Sequence, residues 1–178
     1  MSIPTTKQIV IQGTNTRYQM KKVSGIRNKE PKARINMNEV DEMLFTPETQ
    51  ISALQDLSNN VIEVLPIYLK EITTKLHGYR AQDTLKNRLD ESTFITVSQT
   101  VKLLNSCHLT CFYCKCFTNV LYKNVRDMTQ WSLDRMDNNL GHAYTNVVIS
   151  CLQCNLQKKR LSTNAFTMTK QMVLTKVE

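Results

Sequence analysis

No stretch of this 178-residue chain approaches the roughly 20 consecutive apolar residues that a membrane-spanning helix requires. The opening residues, Met1-Ser-Ile-Pro-Thr-Thr-Lys7, contain no apolar run of the kind a secretory signal needs. The expectation is therefore a soluble, intracellular protein with no membrane partner. No cysteine stands outside the window from Cys107 to Cys154, whereas a framework of long-range disulfides would scatter them along the chain. Six thiols gathered in CxxC spacing inside a reducing compartment favour metal binding instead. No internal repeat appears beyond the paired CxxC units. What is present is apolar content of 41%, enough for a packed core, in a chain short enough for one domain or one domain with an appended helical bundle.

The net charge of +8 is unevenly spread. Lys7, Arg17, Lys21, Lys22, Arg27, Lys29, Lys32 and Arg34 face only Glu30 in the first block. The stretch from 35 to 110 is net acidic, through Glu39, Asp41, Glu42, Glu48, Asp56, Glu63, Glu71, Asp83, Asp90 and Glu91. The cysteine-bearing part is basic again. Two basic blocks around an acidic middle point to a polyanion at the ends of the chain and not at its centre.

Residues 1–44 mix Gly13, Gly25, Pro4 and Pro31 with polar and basic side chains and show no sustained periodicity. They read as a basic extended or disordered arm, with only Gln8-Ile-Val-Ile-Gln12 able to form a short strand. A helical segment, 45–106, follows. Its first helix is signalled by Thr46 as N-cap, Pro47 at the first helical position and Glu48 beside the positive end of the macrodipole. Val61, Val64, Leu65, Tyr68, Leu69, Ile72 and Leu76 make the next helical stripe, bent or delayed by Pro66 and ending near His77 as a C-terminal cation. Residues 78–92 read as a turn and a short helix around Thr84–Leu89. Thr96-Val-Ser-Gln99 matches a capping box and opens a third helix with Val97, Val101 and Leu104 inward.

Cys111/Cys114 and Cys151/Cys154 repeat one spacing at both ends of a segment. A CxxC turn converges two sulfurs on one side, and two such turns complete a tetrahedral structural Zn²⁺ site. Ordering the segment between them costs a few kcal/mol, whereas structural zinc contributes on the order of 10 kcal/mol in small modules. Cys107 and Cys116 compete as ligands but lack the repeated spacing; Cys107 reads as a small apolar side chain. Four thiolates close the coordination sphere, so this metal holds the fold and does no chemistry. Between the pairs, Met128–Asp134 and Asn146–Ser150 read as paired strands joined by a turn of Asn138, Asn139 and Gly141. A helix follows from Cys151 through Asn155 and the run Lys158-Lys159-Arg160. The fold class is α+β: a helical segment, then a zinc-stapled strand–loop–strand–helix module over 107–165, then a tail over 166–178.

The run Leu133-Asp-Arg-Met-Asp-Asn-Asn-Leu-Gly-His142, then Asn146-Val-Val, then Cys151-Leu-Gln-Cys-Asn155-Leu-Gln-Lys158 resembles the zinc-containing HNH nucleases of ββα-metal fold, in the form encoded by large DNA viruses and phages. The likeness covers roughly residues 107 to 160 and is specific in combination. It implies a catalytic Mg²⁺ or Mn²⁺ on Asp134 and Asn155, with Asn146 bracing the loop. The general base of such nucleases is a histidine directly after the aspartate, and Arg135 stands there instead. Arginine stays protonated and cannot take a proton from water. His142, on the loop, is then the available base, while Arg135, Lys158, Lys159 and Arg160 suit phosphate. Two functions stand side by side. One is a metal-dependent HNH-type endonuclease hydrolysing DNA phosphodiesters. The other is a catalytically inactive, zinc-stabilised nucleic-acid-binding protein on the same scaffold, a viral transcription or packaging factor, with the helical segment available to a protein partner.

Overall fold

The computed structural model describes residues 32–34, 40–59 and 66–172. The Gln8–Gln12 strand, most of the basic arm, and Val61, Val64 and Leu65 lie outside them. Helix α1, Pro47–Ser58, starts where its cap dictates: the Thr46 hydroxyl accepts from the Thr49 amide at 3.3 Å, and Pro47 fills the first turn. Helix α2, Pro66–Leu85, begins at its proline, where a missing N–H costs nothing. It then runs through Gly78 as far as Leu85, so the turn and short helix expected over 78–92 come in the opposite order: helix as far as Leu85, then turn and loop where the short helix around Thr84–Leu89 was expected. His77 is accordingly exposed in mid-helix and does not end it. Helix α3, Val97–Ser106, carries both halves of the capping box, Gln99 N–H to the Thr96 hydroxyl at 3.2 Å and Thr96 N–H to Gln99 Oε1 at 2.9 Å.

Strands β1, Trp131–Arg135, and β2, Val147–Cys151, pair antiparallel, with Trp131 opposite Cys151 and Arg135 opposite Val147. Both start later than the apolar pattern suggests, β1 by three residues, because Met128 and Thr129 are spent on turns and bridges ahead of it. Helix α4, Leu152–Lys158, stops at Lys159, whose φ of 51° leaves the helical region. A last helix, α5, Thr163–Gln171, is capped by Ser162 and brings Phe166 edge-on to Tyr113, ring centroids 4.9 Å apart. The module boundary placed at 165 thus falls inside a helix that packs on the cysteine region. Helices and a two-stranded antiparallel sheet make the described residues α+β. Among them, no helix is long and apolar enough to cross a membrane.

One core joins the helices to the sheet. Leu54, Tyr68, Ile72, Leu76, Val101 and Leu104 pack with Trp131, Leu133, Val147 and Ile149. Trp131 is wholly buried there, as strand core. Gln50 of α1, also wholly buried, stitches the long loop before β1 to the helices. Its carbonyl accepts from the amides of Val120 and Leu121 at 2.7 and 2.9 Å, and its amide donates to the Phe45 carbonyl at 2.9 Å. Lys75 of α2 donates to Gln130 Oε1 at 2.9 Å and to the Trp131 carbonyl, its ammonium 4.9 Å from the Trp131 and Tyr122 ring centres. Arg34 is held against Glu71 at 2.8 Å and over Tyr122, so this end of the basic block is part of the fold.

Candidate metal centre and basic cleft

Cys111, Cys114, Cys151 and Cys154 come together with all four sulfurs within 4.8 Å of one another, a group that could hold a metal ion. Cys114 and Cys151 Sγ lie 3.8 Å apart. That equals the edge of about 3.8 Å that a tetrahedron with zinc–sulfur bonds of about 2.3 Å requires. The Cys154 amide points at Cys151 Sγ at 3.4 Å, as a metal knuckle needs. Crowding these thiols makes their protons unequal. The hydrogen bond from Cys151 holds Cys111 down at about 4, the same bond pushes Cys151 up, and burial pushes Cys154 to about 12. A thiophilic cation relieves that conflict by accepting every sulfur as thiolate. The donor set is compatible with structural zinc. Cys107 packs beside the main core, and Cys116 is exposed with its sulfur 3.1 Å from that of Cys114.

The sheet divides the remaining residues between its faces, because successive side chains in a strand point opposite ways. Leu133 and Trp131 face the helical core, and Arg135 on the same side meets Asp83 of α2 at 3.8 Å. Ser132 and Asp134 face α4. There Asn155 donates to Ser132 Oγ and to the Leu133 carbonyl, both at 3.1 Å. Asp134 Oδ2 accepts from the Tyr113 hydroxyl at 2.5 Å and pairs with the Lys158 ammonium at 2.9 Å. Tyr113 is raised above the ordinary phenol value by burial and by that carboxylate.

Two residues stand elsewhere than the sequence suggests. Lys158, expected to reach phosphate, is fully buried and donates to the Arg135 carbonyl at 2.5 Å as well as pairing with Asp134. His142, expected beside Asp134, is held on the opposite side. Its backbone N–H lies 2.7 Å from Asp83 Oδ2, its Nδ1 2.9 Å from both Asp83 oxygens, and Tyr79 stacks on its ring at 4.6 Å. Burial lowers the His142 pKa, against the pull of Asp83. The imidazole therefore packs between α2 and the loop, anchored, and the structure does not bring it to Asp134 and Asn155. Asn146 pins the loop from the other end. Its amide donates to the Asp137 and Gly141 carbonyls at 3.0 Å each, and its oxygen accepts from the Asp137 amide at 2.9 Å.

Where that pinned loop meets the α2–α3 connection and the α4–α5 link, a cleft of about 870 Å³ opens. Among the described residues, Lys86, Arg88, Arg135, Lys159 and Arg160 line it, with Asp137 as the single acid and no aromatic ring. Lys159 and Arg160 are exposed; the Arg135 side chain is largely buried in the wall, 12% exposed, and tied by Nη1 to the Leu140 carbonyl at 3.0 Å. Sequence reading missed Asp83, Lys86, Arg88 and Tyr113. The first three sit in the charged segment read as a turn and a short helix; Tyr113 lies inside the first CxxC, where only the cysteines drew notice. For Lys158 a signal existed: it follows Cys154 by four residues, so a helix that turns Cys154 inward turns Lys158 inward too. Comparison of the chain with family models, curated proteins and solved structures finds no match.

Proposed function

We propose that this chain is a zinc-stapled nucleic-acid-binding protein on an HNH-like, ββα-metal scaffold, and that it grips the phosphate backbone of DNA in the cleft without hydrolysing it. The observation that carries this reading is the cleft itself: among the described residues, Lys86, Arg88, Lys159 and Arg160 converge on one hollow with Arg135, which already faces the buried Asp83, and the lining itself holds a single carboxylate. A hollow lined mostly by one sign of charge focuses positive potential and raises the local concentration of a polyanion. The described residues of the lining offer no ring on which a base would stack, so contact with backbone phosphates is favoured over reading of unstacked bases. Against catalysis stands the chemistry around Asp134. The adjacent residue is an arginine, unable to act as a base, and the imidazole of His142 is committed to Asp83 across the sheet. The structural metal's role in this reading is to fix α4 and the Lys159–Arg160 link against the strands.

The test is fluorescence anisotropy on a labelled DNA duplex across a salt series, with the zinc-loaded full chain. Wild type is expected to bind with a steep salt dependence. Lys159→Ala and Arg160→Ala should each weaken binding and reduce the slope by roughly one counterion. Binding indifferent to salt, or unaffected when both cations are removed together, overturns the cleft. Supercoiled-plasmid nicking with Mg²⁺ or Mn²⁺, lost in Asp134→Asn, would instead establish the endonuclease.

A further inference from the structure

Asp134 poses a question that the cleft does not answer: which cation does its carboxylate serve? The side chain is nearly enclosed, and among the described residues no second acid or histidine joins it in a metal-donor group. Among the described residues, the one group of three or more close metal-donor side chains is the cysteine set. Lys158 is enclosed completely and lies 2.9 Å from Asp134 Oδ2. A buried ammonium without a counter-charge is strongly unfavourable, as is a buried carboxylate without one, so each of these groups needs the other. Tyr113 takes the same oxygen. Asn155 spends its amide hydrogens on Ser132 and the Leu133 carbonyl, and its own oxygen carries no net charge.

A hard divalent ion seeks several oxygen ligands with carboxylate charge still to be neutralised. Here the charge is already neutralised, and an arriving ion would meet a fixed ammonium in a poorly solvated pocket. The residues do not fit a divalent ion. We infer that Lys158 is the resident cation of this site, holding on Asp134 the place that a metal ion would otherwise take, and that the wild-type chain takes up no Mg²⁺ or Mn²⁺ there. The pair then serves as a lock: through Asp134 it ties the end of β1 to Tyr113 of the metal knuckle, and through the Arg135 carbonyl it ties the same strand to α4. This inference stands apart from the cleft and holds or fails independently of DNA binding.

The probe is Mn²⁺, followed by the loss of its free-ion electron paramagnetic resonance signal on titration into the zinc-loaded full chain. Wild type and Asp134→Asn are expected to give the same weak, non-stoichiometric uptake. One equivalent of Mn²⁺ bound by wild type and absent from Asp134→Asn overturns the inference. The complementary arm is Lys158→Met, which keeps the apolar stem and deletes the charge. It is expected to gain one Mn²⁺ that Lys158→Met/Asp134→Asn lacks. A Lys158→Met chain that retains its zinc and its circular dichroism yet gains no Mn²⁺ also overturns it. Should that variant fail to fold, the wild-type and Asp134→Asn comparison decides alone.

Discussion

Two glycines invite the same substitution and should answer with opposite sign. A Cβ built on Gly141 would lie 2.4 Å from the Arg88 carbonyl oxygen and 3.0 Å from Asp83 Oδ2. The first contact is backbone and cannot rotate away, so in Gly141→Ala the loop must retreat by about half an ångström from Arg88 in the α2–α3 connection. That movement pulls at the His142 N–H to Asp83 bond of 2.7 Å and at the Asn146 bond to the Gly141 carbonyl. Overpacking of this kind costs about 1 to 3 kcal/mol, and a weakened buried hydrogen bond adds about 1 kcal/mol. The expected loss is about 2 to 4 kcal/mol. Near this chain length it corresponds to a fall in melting temperature of roughly 5 to 15 °C. Gly78 is the control: it lies inside α2, exposed, with nothing within 4 Å of an added Cβ. Gly78→Ala should stabilise by up to about 1 kcal/mol, through helix propensity and a less flexible unfolded chain. Urea denaturation of the three proteins, zinc-loaded, measures both. A Gly141→Ala chain within about 0.5 kcal/mol of wild type, or a Gly78→Ala chain less stable than wild type, would refute the packing argument.

Zinc content should be one per chain in wild type, in Cys107→Ser and in Cys116→Ser, and should be lost in Cys151→Ser or Cys154→Ser together with several kcal/mol of stability; a chromogenic chelator counts the metal, and loss of zinc in Cys116→Ser would reassign the ligand set. Burial pulls the Lys75 ammonium down to about 7 despite Glu71 nearby, while the unfolded chain titrates near 10.5. Between those values the unfolded state binds more protons, so stability should climb as pH rises from about 7 towards 10, by at most about 1.4 kcal/mol per pH unit relative to Lys75→Met. Paired denaturation curves at several pH values that run parallel for the two chains would remove Lys75 as the cause.

Local chemistry was the readable part of this fold. Thr46 with Pro47, and Thr96 with Gln99, announce helix starts because a cap is a contact between residues three apart, which sequence displays directly. The paired CxxC spacing likewise announces a four-sulfur cluster, since each turn is local and the repeat suggests the pairing. What sequence did not display depends on angles between elements. Whether Lys158 faces solvent or strand is settled by how α4 lies on β1, and the approach of Asp83 to His142 and Arg135 spans more than fifty residues. The extension of α2 past Gly78 was hidden for a further reason. An exposed glycine weakens a helix without ending it, and the polar stretch beyond it mimics a turn while in fact presenting Asp83 inward.

Gln50 sets a limit on how this chain can be taken apart. Two backbone donors at Val120 and Leu121, deep in the stretch that leads to the strands, have the side chain of a helix some seventy residues earlier as their acceptor. A fragment beginning at Cys107 would keep all the cysteines and both strands. It would also strand those two amides and lay bare the face of Trp131, Leu133, Val147 and Ile149 that the helices cover. Expressed alone, such a fragment should load metal and still precipitate. The stapled segment is in this sense not portable, and grafting it onto another protein would require carrying α1 along with it.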